Sequence, residues 1–217
     1  MCNMLSIQEL NEFERDTLKE ISNICIQNSN KSLSKLIKHP IKLKSARIYE
    51  IKYRDFLHKA KKDEKIILVY TKASKDLPFQ SIFYLTPHNT KNLIGTIFNK
   101  YDIINEESMT NFAKSAMLEL ANIYNNSLFK TLEKLIQINL IGERAIIVKE
   151  KQDVVFDYIF RNTHRKCNYL EDKKIICLEG IVDIADSDIH ANYLLIPELP
   201  TCERMFRCLK DAIKQYD

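Results

Sequence analysis

Asp16-Thr-Leu-Lys-Glu20-Ile-Ser-Asn23 has a partner 99 residues later, Ser115-Ala-Met-Leu-Glu119-Leu-Ala-Asn122. Each copy has a short polar residue, Glu four positions on, and Asn three after that. On a helix, at about 100° per residue, the Glu lands about 40° and the Asn about −20° from the first residue. Three polar side chains then share one narrow stripe, with carboxylate and carboxamide a turn apart. The pairing continues at the same offset. Ile24 meets Ile123, Lys31 meets Lys130, Leu33 meets Leu132, and Lys35-Leu36-Ile37 meets Lys134-Leu135-Ile136. With the Glu and Asn pairs this makes eight identities over the 22 positions 16–37, well above chance, and reads as an internal duplication.

A chain of 217 residues supports one substantial core, or two small halves packed closely together. Its 45% apolar and 29% charged residues are those of an ordinary globular protein. Residues 1–107 hold 18 Lys/Arg against 13 Asp/Glu, and the rest 15 against 16. That mild asymmetry suits an acidic partner and falls far short of a nucleic-acid footprint. The six cysteines form no C-x-x-C pair and have no His at zinc spacing. No signal peptide and no run long enough to span a bilayer is evident, so reduced thiols in the cytoplasm are expected. With three glycines, neither G-x-G-x-x-G nor a Walker A loop is present.

In chain order, Ser6-Ile-Gln-Glu9 has the form of a capping box. The spacing of Leu10, Phe13, Leu18, Ile21 and Cys25 predicts a helix after it, its polar stripe turned away from most of these residues. The run Gln27-Asn-Ser-Asn30 is expected to loosen the helix before Leu33, Leu36 and Ile37 resume its spacing. His39-Pro40 should end it. Strands are predicted at about 41–53, 66–70 and 81–85, with a solvated charged turn at 59–65. A short helix over 89–99 closes the first half. The second half repeats this order. Asn105 or Ser108 caps a helix running to about 138. Strands follow near 145–149, 154–160, 175–185 and 193–196, with a basic turn at 161–166. Thr201 caps a closing helix. The predicted class is α/β, of the α+β type: two pseudo-symmetric helix–strands–helix halves, about 6–100 and 105–217, in a single 1–217 domain. Short turns between strands imply a shared antiparallel or mixed sheet.

The duplicated stripe resembles the signature of the CheC/CheX/FliY chemotaxis phosphatases: Asp or Ser, three residues, Glu, two residues, Asn, then Pro after a gap. Both copies match the first three positions. Both depart at the last, where Ala46 and Ala145 stand in place of the prolines. Two motifs in one chain resemble CheC more than CheX, which carries one. A FliY would need a further carboxy-terminal rotor-binding domain, for which this length leaves no room. The segment Tyr193-Leu-Leu-Ile-Pro197 before a helix also resembles the end of CheC-type chains. The family commonly has glycines around the Asn. Here the neighbours are Ser22, Cys25 and Gln27, and Ala121, Tyr124 and Asn126; Tyr124 is expected to make the second copy the more crowded.

The resemblance implies a phosphatase acting on the aspartyl phosphate of a CheY-type response regulator. Such a reaction is chiefly positioning and charge stabilisation. A carboxamide can donate to and accept from one water without titrating. Asn23 and Asn122 would each orient the attacking water. Glu20 and Glu119 would pair with the regulator's lysine. Asp16 and Ser115 would make contacts at the rim. The Mg2+ would belong to the regulator, and this chain would need no metal or cofactor of its own. Rival expectations are an adaptor that binds a regulator or the deamidase CheD with little turnover, and a flagellar-switch component. His39, His58, His88, His164 and His190 are too scattered for a triad. Asp183, Asp186, Asp188 and His190 suit a polar turn better than a metal site. Cys25, two residues past Asn23, reads as a small buried thiol rather than a redox control.

Overall fold

Asn11 sets the start of the first long helix, α1 (Glu12–Ile37). In the computed structural model, which describes residues 10–74, 78–100, 109–137, 139–163, 174–185 and 187–214, Asn11 is extended and its side chain accepts from the Glu14 N–H at 2.9 Å. The Glu14 carboxylate accepts in return from the Asn11 N–H at 3.1 Å. This reciprocal box replaces the one expected at Ser6, which lies outside the described residues. The helix runs unbroken through 27–30, contrary to the loosening expected there. Lys38, with φ 59°, turns left-handed and stops it just before His39-Pro40.

The matching helix α4 (Asn111–Ile136) begins at Thr110, whose hydroxyl accepts from the Ala113 N–H at 3.2 Å. The caps expected at Asn105 and Ser108 fall outside the described residues. The polar run survives inside α1 because it faces α4. Asn28 donates to Thr131 at 3.3 Å, and Ser32 to Ser127 at 2.9 Å. Residues rising along one helix meet residues falling along the other, so the two are antiparallel. Asn28 and Ser127 are a duplicated pair at offset 99, as are Ser32 and Thr131; each contact is therefore the image of the other.

Between the two long helices come β1 (Ile41–Lys52), α2 (Tyr53–Lys59), β2 (Lys65–Ser74), β3 (Phe79–Leu85) and α3 (Pro87–Phe98). After α4 come β4 (Ile141–Gly142), β5 (Ile146–Lys151), α5 (Gln152–Thr163), β6 (Lys174–Ile184), β7 (His190–Pro197) and α6 (Leu199–Lys214). The strands form one seven-stranded sheet in the order β1-β6-β7-β3-β2, with β4 and β5 following one another along the far side of β2. Every pairing is antiparallel. The halves interleave. β1 pairs with β6 of the other half, β5 with β2, and β3 meets β7 in the middle.

Both faces of this sheet are covered. Ile67, Val69, Phe83, Leu178, Tyr193 and Leu195 pack beneath α1 and α4. Ile66, Leu68, Ile82, Cys177, Leu194 and Ile196 face α2 and α5. Central strands buried on both sides lose the alternation of a half-exposed strand and read as unbroken apolar runs.

Two helices on the second face were not expected. The segment 154–160, predicted as a strand, lies within helix α5. Its buried residues Val155, Phe156, Ile159 and Phe160 repeat at helical spacing, with Asp157 left at the rim. Helix α2 takes the last residue of the strand expected at 41–53, the first of the turn expected at 59–65 and the unassigned residues between them, burying Tyr53 and Phe56. The Tyr53 hydroxyl donates to Asp157 Oδ1 at 2.8 Å, and Phe56 meets Phe156 with centroids 5.4 Å apart. The basic turn expected at 161–166 begins inside α5, since Arg161 is helical and grips Asp157 at 2.8 Å. Thr201 is not a cap: it sits in the first turn of α6 and donates to the Pro78 carbonyl at 2.7 Å.

The two long helices rest on the sheet by different means. Ile26 of α1 lies over Gly180, where a Cβ would come within 2.8 Å of its Cδ1. The duplicated position in α4 is Asn125, buried, which accepts from the Ser81 hydroxyl and donates to Thr71 at 3.0 Å. Asn125→Ala strands two buried hydroxyls and should cost about 2–3 kcal/mol in chemical denaturation. Asn125→Ile combined with Thr71→Val and Ser81→Ala, which removes all three polar groups, should recover most of that loss.

Candidate functional site

Core packing decides where the duplicated stripes point. Leu18, Ile21, Cys25, Ile26 and Leu33 turn α1 onto the sheet, as Met117, Leu120, Tyr124, Leu128 and Leu132 turn α4. The stripes are left on the opposite sides. Asp16 and Glu20 are exposed and Asn23 is half-buried; Ser115, Glu119 and Asn122 are all exposed. Among the described residues none of these six side chains has a hydrogen-bond or ion-pair partner. Each stripe therefore offers an uncommitted carboxylate and carboxamide one turn apart on a rigid helix.

The structure brings together the three members of each stripe and keeps the two stripes apart. The antiparallel register of α1 and α4 places Asn122 level with Ile37, fourteen residues along α1 from Asn23. At 1.5 Å per residue this separates the two amides by about 20 Å along the helix axes. The stripes are two separate patches, not one composite centre.

The residues standing where the motif family has glycines mostly point inward. Ser22, Cys25, Ala121 and Tyr124 are buried; only Gln27 and Asn126 flank the amides in solvent. The crowding expected from Tyr124 is absent. Two residues past Asn122, its ring lies on the far side of the helix, stacked on Phe83 at 5.6 Å and against Tyr193 at 5.0 Å. Asn122 is in fact the more open of the two amides.

The positions lacking proline fall at matching irregularities. Ala46 follows a register shift in β1 between Leu43 and Ser45, and Ala145 lies in the break between β4 and β5. Cys25 is fully buried, and desolvation pushes its thiol up to about 12, so it is an inert thiol at neutral pH. Asp183 binds His190 Nδ1 at 2.6 Å and Lys44 at 3.5 Å, a surface ion-pair group. No group of three metal-ligating side chains occurs among the described residues. His190 Nδ1 is taken by Asp183 and His88 Nε2 lies 3.0 Å from Asn92 Nδ2, while His164 is outside the described residues.

The seam of Asn28, Ser32, Ser127 and Thr131 was missed in the sequence. It carried a legible signal: the same spacing of four in both copies, at the same offset as the stripes. No helix among the described residues is long and apolar enough to cross a membrane.

A pair of antiparallel stripe-bearing helices on a continuous antiparallel sheet, with lesser helices behind, is a CheC-like fold. Solved structures that share it include the following. FliY from Thermotoga maritima superposes with a TM-score of 0.71 at 14% identity, over 94% of this chain and 99% of that one. The FliM middle domain from H. pylori gives 0.59 at 10% identity, over 92% and 99%. A CheC-like superfamily protein from Shewanella gives 0.52 at 10% identity, over 87% and 99%. At such identities the likeness is one of fold. No protein-family model and no curated protein sequence matches the chain.

Proposed function

We propose that this chain hydrolyses the aspartyl phosphate of a CheY-type response regulator, within chemotaxis or flagellar-switch signalling. The observation that carries the proposal is the outward, unpartnered placement of Glu20–Asn23 and Glu119–Asn122 at duplicated positions of two rigid helices. Asn is a poor helix former, and among the described residues no group bonds to either amide. Inserted into a regulator's acidic pocket, the carboxamide holds one water in line with the phosphorus. The Glu one turn away pairs with the regulator's lysine and fixes the register. The regulator supplies its own Mg2+, which neutralises the leaving charge.

The second reading is a binding protein without turnover, either an adaptor for a regulator or CheD, or a component of the flagellar switch. The likeness to FliM middle domains favours the switch; one such structure, from H. pylori, is a FliG–FliM complex. Decay of a phosphorylated regulator separates the readings. Faster loss of phosphate at substoichiometric protein supports hydrolysis. Tight binding with unchanged decay supports the adaptor, and retention of rotor proteins on the purified chain supports the switch.

The Glu residues should act in docking. Glu20→Lys with Glu119→Lys should raise the regulator concentration giving half-maximal rate by roughly tenfold or more, through loss of a charge-assisted contact at each site. The rate at saturation should change less.

A further inference from the structure

Beyond the two stripes, the duplicated halves differ in charge. Residues 21–49 hold six Lys/Arg and no Asp/Glu, whereas the matching 120–148 hold three and two. In the fold this difference gathers at a groove of about 690 Å³ between the C-terminal half of α1 and the start of β1. Lys31, Lys35 and Lys38 form its wall, and half-buried Ile41 and Leu43 line its strand side. Among the described residues none of the three lysines has an ion-pair partner. Asn30, only 4% exposed, also lines the groove, and its Oδ1 accepts no hydrogen bond.

The second half closes the equivalent space. Phe129 stands where Asn30 does, packed edge-on against Phe79 at 5.1 Å and over Gly142. Both halves tie helix to strand in the same way, by a side chain accepting the backbone N–H seven residues on. In the first half neutral Ser34 accepts from Ile41 at 2.9 Å; in the second, anionic Glu133 accepts from Leu140 at 2.6 Å. The second half thus fills the pocket and adds a negative charge. The first leaves it open, basic, and bordered by β1, the outermost strand among the described residues.

We infer that this groove binds an acidic polypeptide segment of a partner protein, in extended form, added along the edge of β1 beneath the three lysines. An edge strand leaves N–H and C=O groups to pair with an incoming strand, which gives affinity without a fixed sequence. The lysines select for Asp and Glu on the incoming side chains, and Ile41 and Leu43 take small apolar ones. Nucleic acid fits poorly, because no Phe, Tyr or Trp lines the groove to stack successive bases. The inference does not depend on the activity proposed for Asn23 and Asn122.

Fluorescence anisotropy at low salt with a labelled decapeptide alternating Glu and Val tests it. The full chain should bind this probe. Lys31→Glu/Lys35→Glu/Lys38→Glu should bind at least tenfold more weakly, and Lys31→Gln/Lys35→Gln gives the same comparison if the triple variant does not fold. Lys130→Glu/Lys134→Glu on α4 should bind as the parent does. A peptide with Pro in place of Val should lose binding. No binding by the parent, equal binding by the charge-reversed groove, equal binding of a Lys–Val or Pro-containing peptide, or loss on the α4 variant would each overturn the inference. So would displacement by a thymidine decamer at matching affinity, or a dimer of the parent chain that the groove variant abolishes.

Discussion

Replacing Asn23 and Asn122 together with alanine returns a phosphorylated regulator to its own rate of decay, a loss of about 10²-fold from the accelerated rate, the scale expected when a reacting water loses its positioning. The fold should not notice. Both amides point outward and have no partner among the described residues, so the melting temperature should stay within the range of ordinary surface changes. The single variants carry further information. The two amides stand about 20 Å apart on separate helices, too far to share one water. Each single variant should therefore retain the contribution of the untouched site. Of the two, Asn122 is the more open, so Asn122→Ala should remove the larger share.

Phe156→Ala should be among the most destabilising single changes, at about 3–5 kcal/mol by chemical denaturation, the usual range for deleting a buried Phe. The ring is 2% exposed and sits between α2 and the sheet, 5.4 Å from Phe56 and edge-on to Tyr84 at 5.7 Å. Tyr158, two residues on, is 64% exposed, and Tyr158→Ala should shift stability far less. The comparison also tests the helical assignment. In an α5 helix the costly positions are 155, 156, 159 and 160. In a strand over 154–160 they would fall at alternate residues, and Val154 and Tyr158 would then rank with Phe156.

The legible parts of the sequence were those in which one local pattern had one meaning. Apolar runs such as 66–69 and 194–196 read as strands, and the structure makes them strands buried on both faces of the sheet. The Glu and Asn offsets put the stripes on one helix face, where the structure places them. Other features depended on contacts distant in sequence. The run 154–160 is rich in β-branched and aromatic residues and short enough to suit either state; it became a helix because the sheet needed a cover on its second face. The polar run 27–30 looks like a helix breaker until α4 is set beside it. Capping was misplaced at both long helices because several short polar residues stood near each start, and only the backbone entering the turn selects among them. The exchange of β1 and β5 between halves leaves no local trace, since nothing in a strand's own residues records whose edge it joins.

The most direct test of the central claim is a decay panel. Each response regulator encoded beside this chain is phosphorylated, supplied with Mg2+, and followed with and without a tenth of an equivalent of the protein. The account predicts that at least one regulator loses its phosphate faster, over several turnovers, and that the Asn23→Ala/Asn122→Ala protein leaves that regulator at its intrinsic rate. Unaltered decay across the whole panel, or acceleration that survives removal of both amides, would contradict it.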